Sequence, residues 1–197
     1  MISMIYKILQ DSKYSVREYD EKIVLFQEDL TYYLEDYVEV QRTGDKYIIY
    51  EVHRDSKQIK AETANKNDAA IYAVIICKRL FDDLSDRMVA RNIRSYVDCG
   101  EEDKAAACIR NEIDESIYSI GREDRSKISL IKTGDTANVM FANQCIVEAA
   151  ALSRAYVVLY NYCKKLMHIS EFYNEKLKEI DCSLSAQNIM TVYIFGE

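Results

Sequence analysis

The chain has 197 residues, 49% of them hydrophobic and 30% charged, a profile that fits a soluble globular protein and excludes a disordered one. Its 33 acidic residues against 26 basic ones leave a formal net charge of −7, which speaks against general nucleic-acid binding. No apolar run approaches the roughly 20 residues that span a bilayer; the longest candidate, Cys145–Cys163, is interrupted by Glu148 and Arg154.

The N-terminus lacks the basic start, apolar middle and small-residue cleavage site of a signal peptide, so a cytoplasmic protein is expected. The six cysteines are widely spaced with no C-x-x-C, and they read as reduced thiols. With only two histidines, no metal site is expected, and no cofactor motif is present. Proline is absent, so turns must rest on Gly, Asn, Asp and Ser.

In chain order, Ile2, Ile5, Tyr6 and Leu9 fall at helical spacing and predict a short amphipathic helix ending near Asp11. Tyr14 to Tyr19 and Lys22 to Gln27 read as a hairpin across Asp20-Glu21. Leu30, Tyr33, Leu34 and Tyr37 have helical spacing while Thr31-Tyr32-Tyr33 has strand propensity, so residues 30–36 are open between the two and lean to strand. Tyr37–Gln41 and Lys46–His53 alternate at period two around Thr43-Gly44-Asp45, a second hairpin. Gln58–Thr63 reads as a third strand with one wet face. Asn65 and Asn67 are good N-cap residues, and Ala69–Cys77 is apolar on every side, which predicts a buried core helix.

Beyond it, Leu84, Met88, Val89, Ile93, Tyr96 and Val97 predict an amphipathic helix closed by Gly100. Ala105, Ile109, Ile113 and Ile117 form a second stripe, closed by Gly121. Lys127–Thr133 reads as a strand, Thr133-Gly134-Asp135 as a turn, and Asn138–Phe141 as a further strand. The longest helix is expected over Asn143–Met167, with Ser170 capping another short one. Ile189–Phe195 is strand-like and would pair with a sheet. The expected fold is α+β: an antiparallel sheet of N-terminal hairpins packed on a buried helix, with a largely helical second half. A single domain over 1–197 is expected, with a subdivision into 1–81 and 82–197.

Candidate chemistry is sparse. His53 beside Glu51 and Asp55 could act as a base or ligand, but no motif places a nucleophile near it, and a strand-end histidine in a charged turn is the expected role. His168 is expected to cap the end of the long helix. Asp82, Asp83 and Asp86, and again Asp98, Glu101, Glu102 and Asp103, offer oxygens for a divalent ion without the spacing of a known loop; dipole partners of the following helices are expected instead. Lys78, Arg79, Arg87, Arg91 and Arg94 are the one basic concentration, expected as a salt-bridged helix face. There is no G-x-G-x-x-G, P-loop or G-x-S-x-G, so no catalytic residue is assigned.

The segment 18–39 is different. Tyr19, Tyr32, Tyr33 and Tyr37 are interleaved with its acids, seven of which fall between Glu18 and Asp36 against the single base Lys22. Tyrosine gives large amphipathic contact area at low entropic cost, and a negative surface steers a basic partner. Glu28, Asp29, Tyr32, Tyr33, Glu35 and Asp36 are therefore the expected partner-binding residues, the alternative being that the tyrosines pack inward while the acids are solvated.

Tyr47-x-Ile49-x-Glu51 followed by Arg54, a third strand, and Asn67-Asp68-Ala69-Ala70 opening a helix with Tyr72 resembles the strand-and-helix units of small immunity proteins from bacterial polymorphic-toxin systems. The resemblance covers residues 37–81. It implies a cytoplasmic α+β protein that binds a toxin domain and blocks it stoichiometrically, without catalysis. The rival expectations are an enzyme of unrecognised family built on His53 and the acidic clusters, and a homo-oligomer subunit pairing through Ile189–Phe195.

Overall fold

The computed structural model describes residues 1–10, 13–27, 35–54 and 56–196. The fold is α+β, and the chain divides into two compact units, Met1–Asp82 with Glu171–Glu197, and Asp83–Ser170. Residues 171–197 thus fold with the N-terminal unit.

The first unit opens with α1 (Ile2–Ile8), which buries Ile5 and Ile8. Five antiparallel strands follow in sequential order: β1 (Tyr14–Tyr19), β2 (Lys22–Gln27), β3 (Asp36–Thr43), β4 (Lys46–His53) and β5 (Ser56–Thr63). The β3–β4 turn needs Gly44, whose φ of +64° lies in the left-handed region that side chains with a Cβ resist. Register sets the faces: Leu25 lies opposite Val38 and Val40 opposite Ile49, all essentially inaccessible. Register also sets Glu51 opposite Val38, and Arg79 of α2 (Lys66–Phe81) reaches Glu51 at 2.9 Å, so this is the face α2 covers.

Asn65 caps α2 by accepting from the backbone N–H of Asn67 and Asp68. Ala69–Ile71 and Ala73–Cys77 are fully buried, as their all-round apolar pattern requires. The helix packs against β2 to β5, α1 and α6 (Ala186–Phe195).

The last of these elements corrects the strand expected over Ile189–Phe195, and the pairing edge it would have offered. Ser185 closes a capping box with Asn188, Gly196 ends the helix at φ +81°, and Ile189, Val192 and Tyr193 fall at i, i+3, i+4 on the buried side. Burial of that stripe overrides the strand propensity of Ile, Thr, Val and Tyr.

The second unit begins with α3 (Arg87–Asp98), capped by Asp86, and α4 (Glu102–Glu112), which pack on each other. The helix does not run on to Gly121: an Asx turn in which Ser116 N–H donates to Asp114 at 2.8 Å turns the chain into β6 (Tyr118–Ile120). β6 pairs in parallel with β7 (Ile128–Thr133), which continues antiparallel through β8 (Thr136–Phe141) to β9 (Gln144–Ala151). β9 corrects the expectation that Asn143 opens the long helix. Ala142 and Asn143 both adopt positive φ, 51° and 65°, the conformation of a two-residue hairpin turn.

The helical look of Ile146, Ala149 and Ala150 comes from an irregular register in β9. Ala149 sits at φ 47°, its N–H donating to the Asn138 side chain at 2.7 Å. The long helix is α5 (Leu152–Phe172). Ser170 lies inside α5, where its hydroxyl donates to the Leu166 carbonyl at 2.6 Å, so the further helix expected there does not begin at Ser170; a π-helical turn over Tyr173–Leu177 follows. Among the described residues no helix is long and apolar enough to cross a membrane.

Candidate protein-binding surface

The acids of segment 18–39 do not form one patch. β2 runs away from the Asp20-Glu21 turn and β3 returns from Asp36, so Glu18, Asp20 and Glu21 lie at one end of the sheet and Glu35 and Asp36 at the other. At about 3.3 Å per residue, the ends are roughly 20 Å apart. Glu28, Asp29, Tyr32 and Tyr33 lie outside the described residues, as do 30–34 of the segment left open between helix and strand; Asp36 opens β3.

The two ends differ electrostatically. Glu35 is exposed but ion-paired with Arg54 at 3.5 Å, and the Asp36 carboxylate meets His53 Nδ1. Glu18, Asp20 and Glu21 are exposed and form no ion pair among the described residues. Tyr19 beside them is 48% exposed, and a cleft of about 740 Å³ there is also lined by Lys22, Arg42 and Lys66.

On the sheet face opposite α2, register sets Glu39 across from Val24 and Tyr50. Its carboxylate is only 5% exposed, held by Lys57 at 2.8 Å and Lys22 at 3.4 Å. The Lys57 ammonium stands 3.7 Å from the Tyr50 ring centroid, and the Arg17 guanidinium 4.8 Å from that of Phe26. Charged stems thus roof a small apolar set. Alternation around Val38 and Val40 marks Glu39 as outward-facing; its burial depends on lysines from other strands, which spacing along one strand does not reveal.

The interior of this unit consumes its remaining ionisable groups. Asp68, 3% exposed, accepts from the backbone N–H of Ser183 at 2.8 Å and from its hydroxyl. Asp82 takes Lys78 at 3.0 Å, Lys13 at 3.9 Å and the Tyr14 hydroxyl, with the Tyr193 hydroxyl at 3.5 Å. The Lys78 ammonium lies between the Phe172 and Tyr14 rings, 4.6 and 5.6 Å from their centroids. Burial first, then Asp82, pushes the Tyr14 phenol far up; burial does the same to Tyr193 and to the Cys77 thiol. Neither phenol nor thiol is an acid–base group for neutral pH.

The structure places the other candidates as follows. His53 and Asp36 form a pair on an exposed strand end, and no described hydroxyl or thiol is hydrogen-bonded to the imidazole. His168 lies inside α5, four residues before its end, rather than beyond it. Asp83 accepts from Ser85, Asp86 caps α3, Glu101 pairs with Lys104 at 2.8 Å, and no group of three or more described His, Cys, Asp or Glu residues could hold a metal. Glu102 sits at a cleft of about 730 Å³ in the second unit, where it accepts from Lys132 and from the Tyr156 hydroxyl. The Lys132 hydrogen bond holds the Glu102 carboxyl below its ordinary range, and burial raises Tyr156. The cleft's three bases, Lys104, Arg110 and Lys132, are each matched by a carboxylate.

Of the basic row, Lys78 is buried on Asp82 and Arg79 on Glu51, whereas Arg87, Arg91 and Arg94 are exposed with no ion-pair partner among the described residues.

No protein-family model, no curated protein and no solved structure matches this chain.

Proposed function

We propose that this chain is a non-enzymatic inhibitor of the immunity type, which binds a basic toxin domain through its acidic, tyrosine-bearing sheet ends and blocks it stoichiometrically. The reading rests on the loose resemblance over 37–81 and on one observation. The carboxylates of Asp68, Asp82, Glu39 and Glu51 are committed to structural partners, while Glu18, Asp20, Glu21 and Glu35 stay exposed, Glu35 beside Arg54. Exposed carboxylates steer a basic partner, and half-exposed Tyr19 adds contact area. The residues carried from the sequence are Glu28, Asp29, Tyr32, Tyr33, Glu35 and Asp36; Glu18, Asp20 and Glu21 are a separate exposed acidic set, at the other end of the sheet from Glu35 and Asp36.

The test is stopped-flow association with a basic toxin domain, first sought in the gene next to this one. Reversing Glu28, Asp29, Glu35 and Asp36 to Lys should slow association at low salt by tenfold or more, with a smaller effect above 0.5 M salt. Unchanged kinetics at low salt would remove this face. A loss produced instead by reversing Glu18, Asp20 and Glu21 would move it to the other end of the sheet.

A further inference from the structure

In a chain of net charge −7, α3 carries an exposed row that nothing in its own unit neutralises. Arg87, Arg91 and Arg94 stand at i, i+4 and i+7, within one 60° sector, over about 10 Å of helix. The buried residues of α3, Ile93 and Val97, point about 130° and 90° away from the middle of the row, which leaves the row on the exposed side. None of the three makes an ion pair or hydrogen bond with a described residue, although Asp98 lies one turn beyond Arg94 and Asp86 one residue before Arg87. Asp86 instead caps the helix, accepting from Met88 and Val89 N–H at 3.1 Å. Met88, beside Arg87, is 72% exposed, the most exposed large apolar side chain among the described residues.

We propose that this face of α3 is a second interaction surface, and that it takes an acidic helical segment of a partner protein. Carboxylates at i, i+4 and i+7 on such a helix match the spacing of the three guanidinium groups, each able to take a carboxylate in a two-pronged hydrogen bond. The thioether of Met88 supplies an adaptable apolar contact at the edge of the row. A nucleic-acid strand presents anions at similar spacing but fits less well. The net charge of −7 repels a polyanion over its whole length, and the face offers no aromatic ring for base stacking, since Tyr96 lies on the other flank under Lys104.

The surface is independent of the acidic sheet ends, and the experiment separates them. Fluorescence anisotropy of the full chain would be measured at about 20 mM ionic strength with three labelled probes: a 20-residue helical peptide bearing Glu at i, i+4 and i+7, its Gln counterpart, and a 12-nucleotide single strand. Saturable binding of the Glu peptide is expected, at least tenfold weaker for the Gln peptide and for the triple variant Arg87→Glu, Arg91→Glu, Arg94→Glu. Reversal of Glu35 and Asp36 should leave it unchanged. These arginines are exposed, so the triple variant keeps its fold, checked by circular dichroism. No saturable binding of the Glu peptide, equal binding by the triple variant, or tighter binding of the oligonucleotide would each overturn the proposal.

Discussion

Raising the pH should destabilise the first unit, and the buried groups around Asp82 set the size of the effect. Cys77 is fully buried in α2, and burial, then the Asp82 charge, hold its thiol protonated far above the ordinary range; burial and the same carboxylate act on Tyr14 and Tyr193. In the unfolded chain these groups return to about 8.5 for the thiol and about 10 for the phenols. The native state then keeps protons that the unfolded chain has lost, so their contribution is complete below pH 8.5 and falls as pH rises, by about 1.4 kcal/mol per unit for each group past its unfolded value. At pH 10.5 this amounts to about 2.7 kcal/mol for Cys77 and about 0.8 kcal/mol for each tyrosine, roughly 4 kcal/mol in all. That is a large part of a total stability of about 5–15 kcal/mol.

Urea unfolding followed by circular dichroism at pH 7.5, 9, 10 and 10.5, with reductant present, measures it. The native sequence should lose about 4 kcal/mol over this range and Cys77→Ala only about 2 kcal/mol. A Cys77→Ala profile parallel to the parent's, or native-state modification of Cys77 by a thiol reagent at pH 8, would refute the reasoning.

Other outcomes follow from particular contacts. Asp82→Leu should cost about 3–5 kcal/mol because it removes the carboxylate that pairs the buried Lys78 ammonium, Lys78→Met should cost less because Lys13 and two tyrosine hydroxyls still reach Asp82, and the double variant should cost clearly less than their sum in a urea-unfolding cycle. Ala149→Gly should stabilise the second unit by about 1 kcal/mol by relieving the left-handed backbone, read as a rise in melting temperature. Asn138→Ala should cost about 1–2 kcal/mol, because the Ala149 N–H loses its acceptor, with faster amide exchange at that position. Ser185→Ala should cost about 1 kcal/mol by removing the cap of α6.

Much of the fold is legible locally. The two N-terminal hairpins, the third strand and α2 have boundaries within a residue or two of those expected, because period-two alternation, the Gly44 turn and the Asn65 cap agree with one another. The misread segments are those where local signals conflict. Ile189–Phe195 carries strand-forming side chains on a helix, while the Ser185–Asn188 box and the Gly196 stop are the signals that mark it. In Gln144–Ala151 a bulged strand imitates helical periodicity, and Ala142-Asn143 is a weak turn signal without glycine.

The candidate surface was less legible. Contiguity along 18–39 implied one acidic patch, but antiparallel pairing carries its acids to opposite ends of the sheet and gives Glu35 and Asp36 basic neighbours from the end of β4. The basic row likewise divides, with Lys78 turned to Asp82, Arg79 turned to Glu51 and three arginines left outside. Which charges a fold consumes depends on residues distant in sequence, and spacing along one element does not encode that.

The measurement that tests the central claim most directly is titration of the activity of a basic toxin domain, the partner proposed above, with this protein. Inhibition that ends at one molecule per toxin, and that is lost on charge reversal at Glu28, Asp29, Glu35 and Asp36, is the predicted result. Toxin activity unchanged by a tenfold excess of the protein would contradict the account.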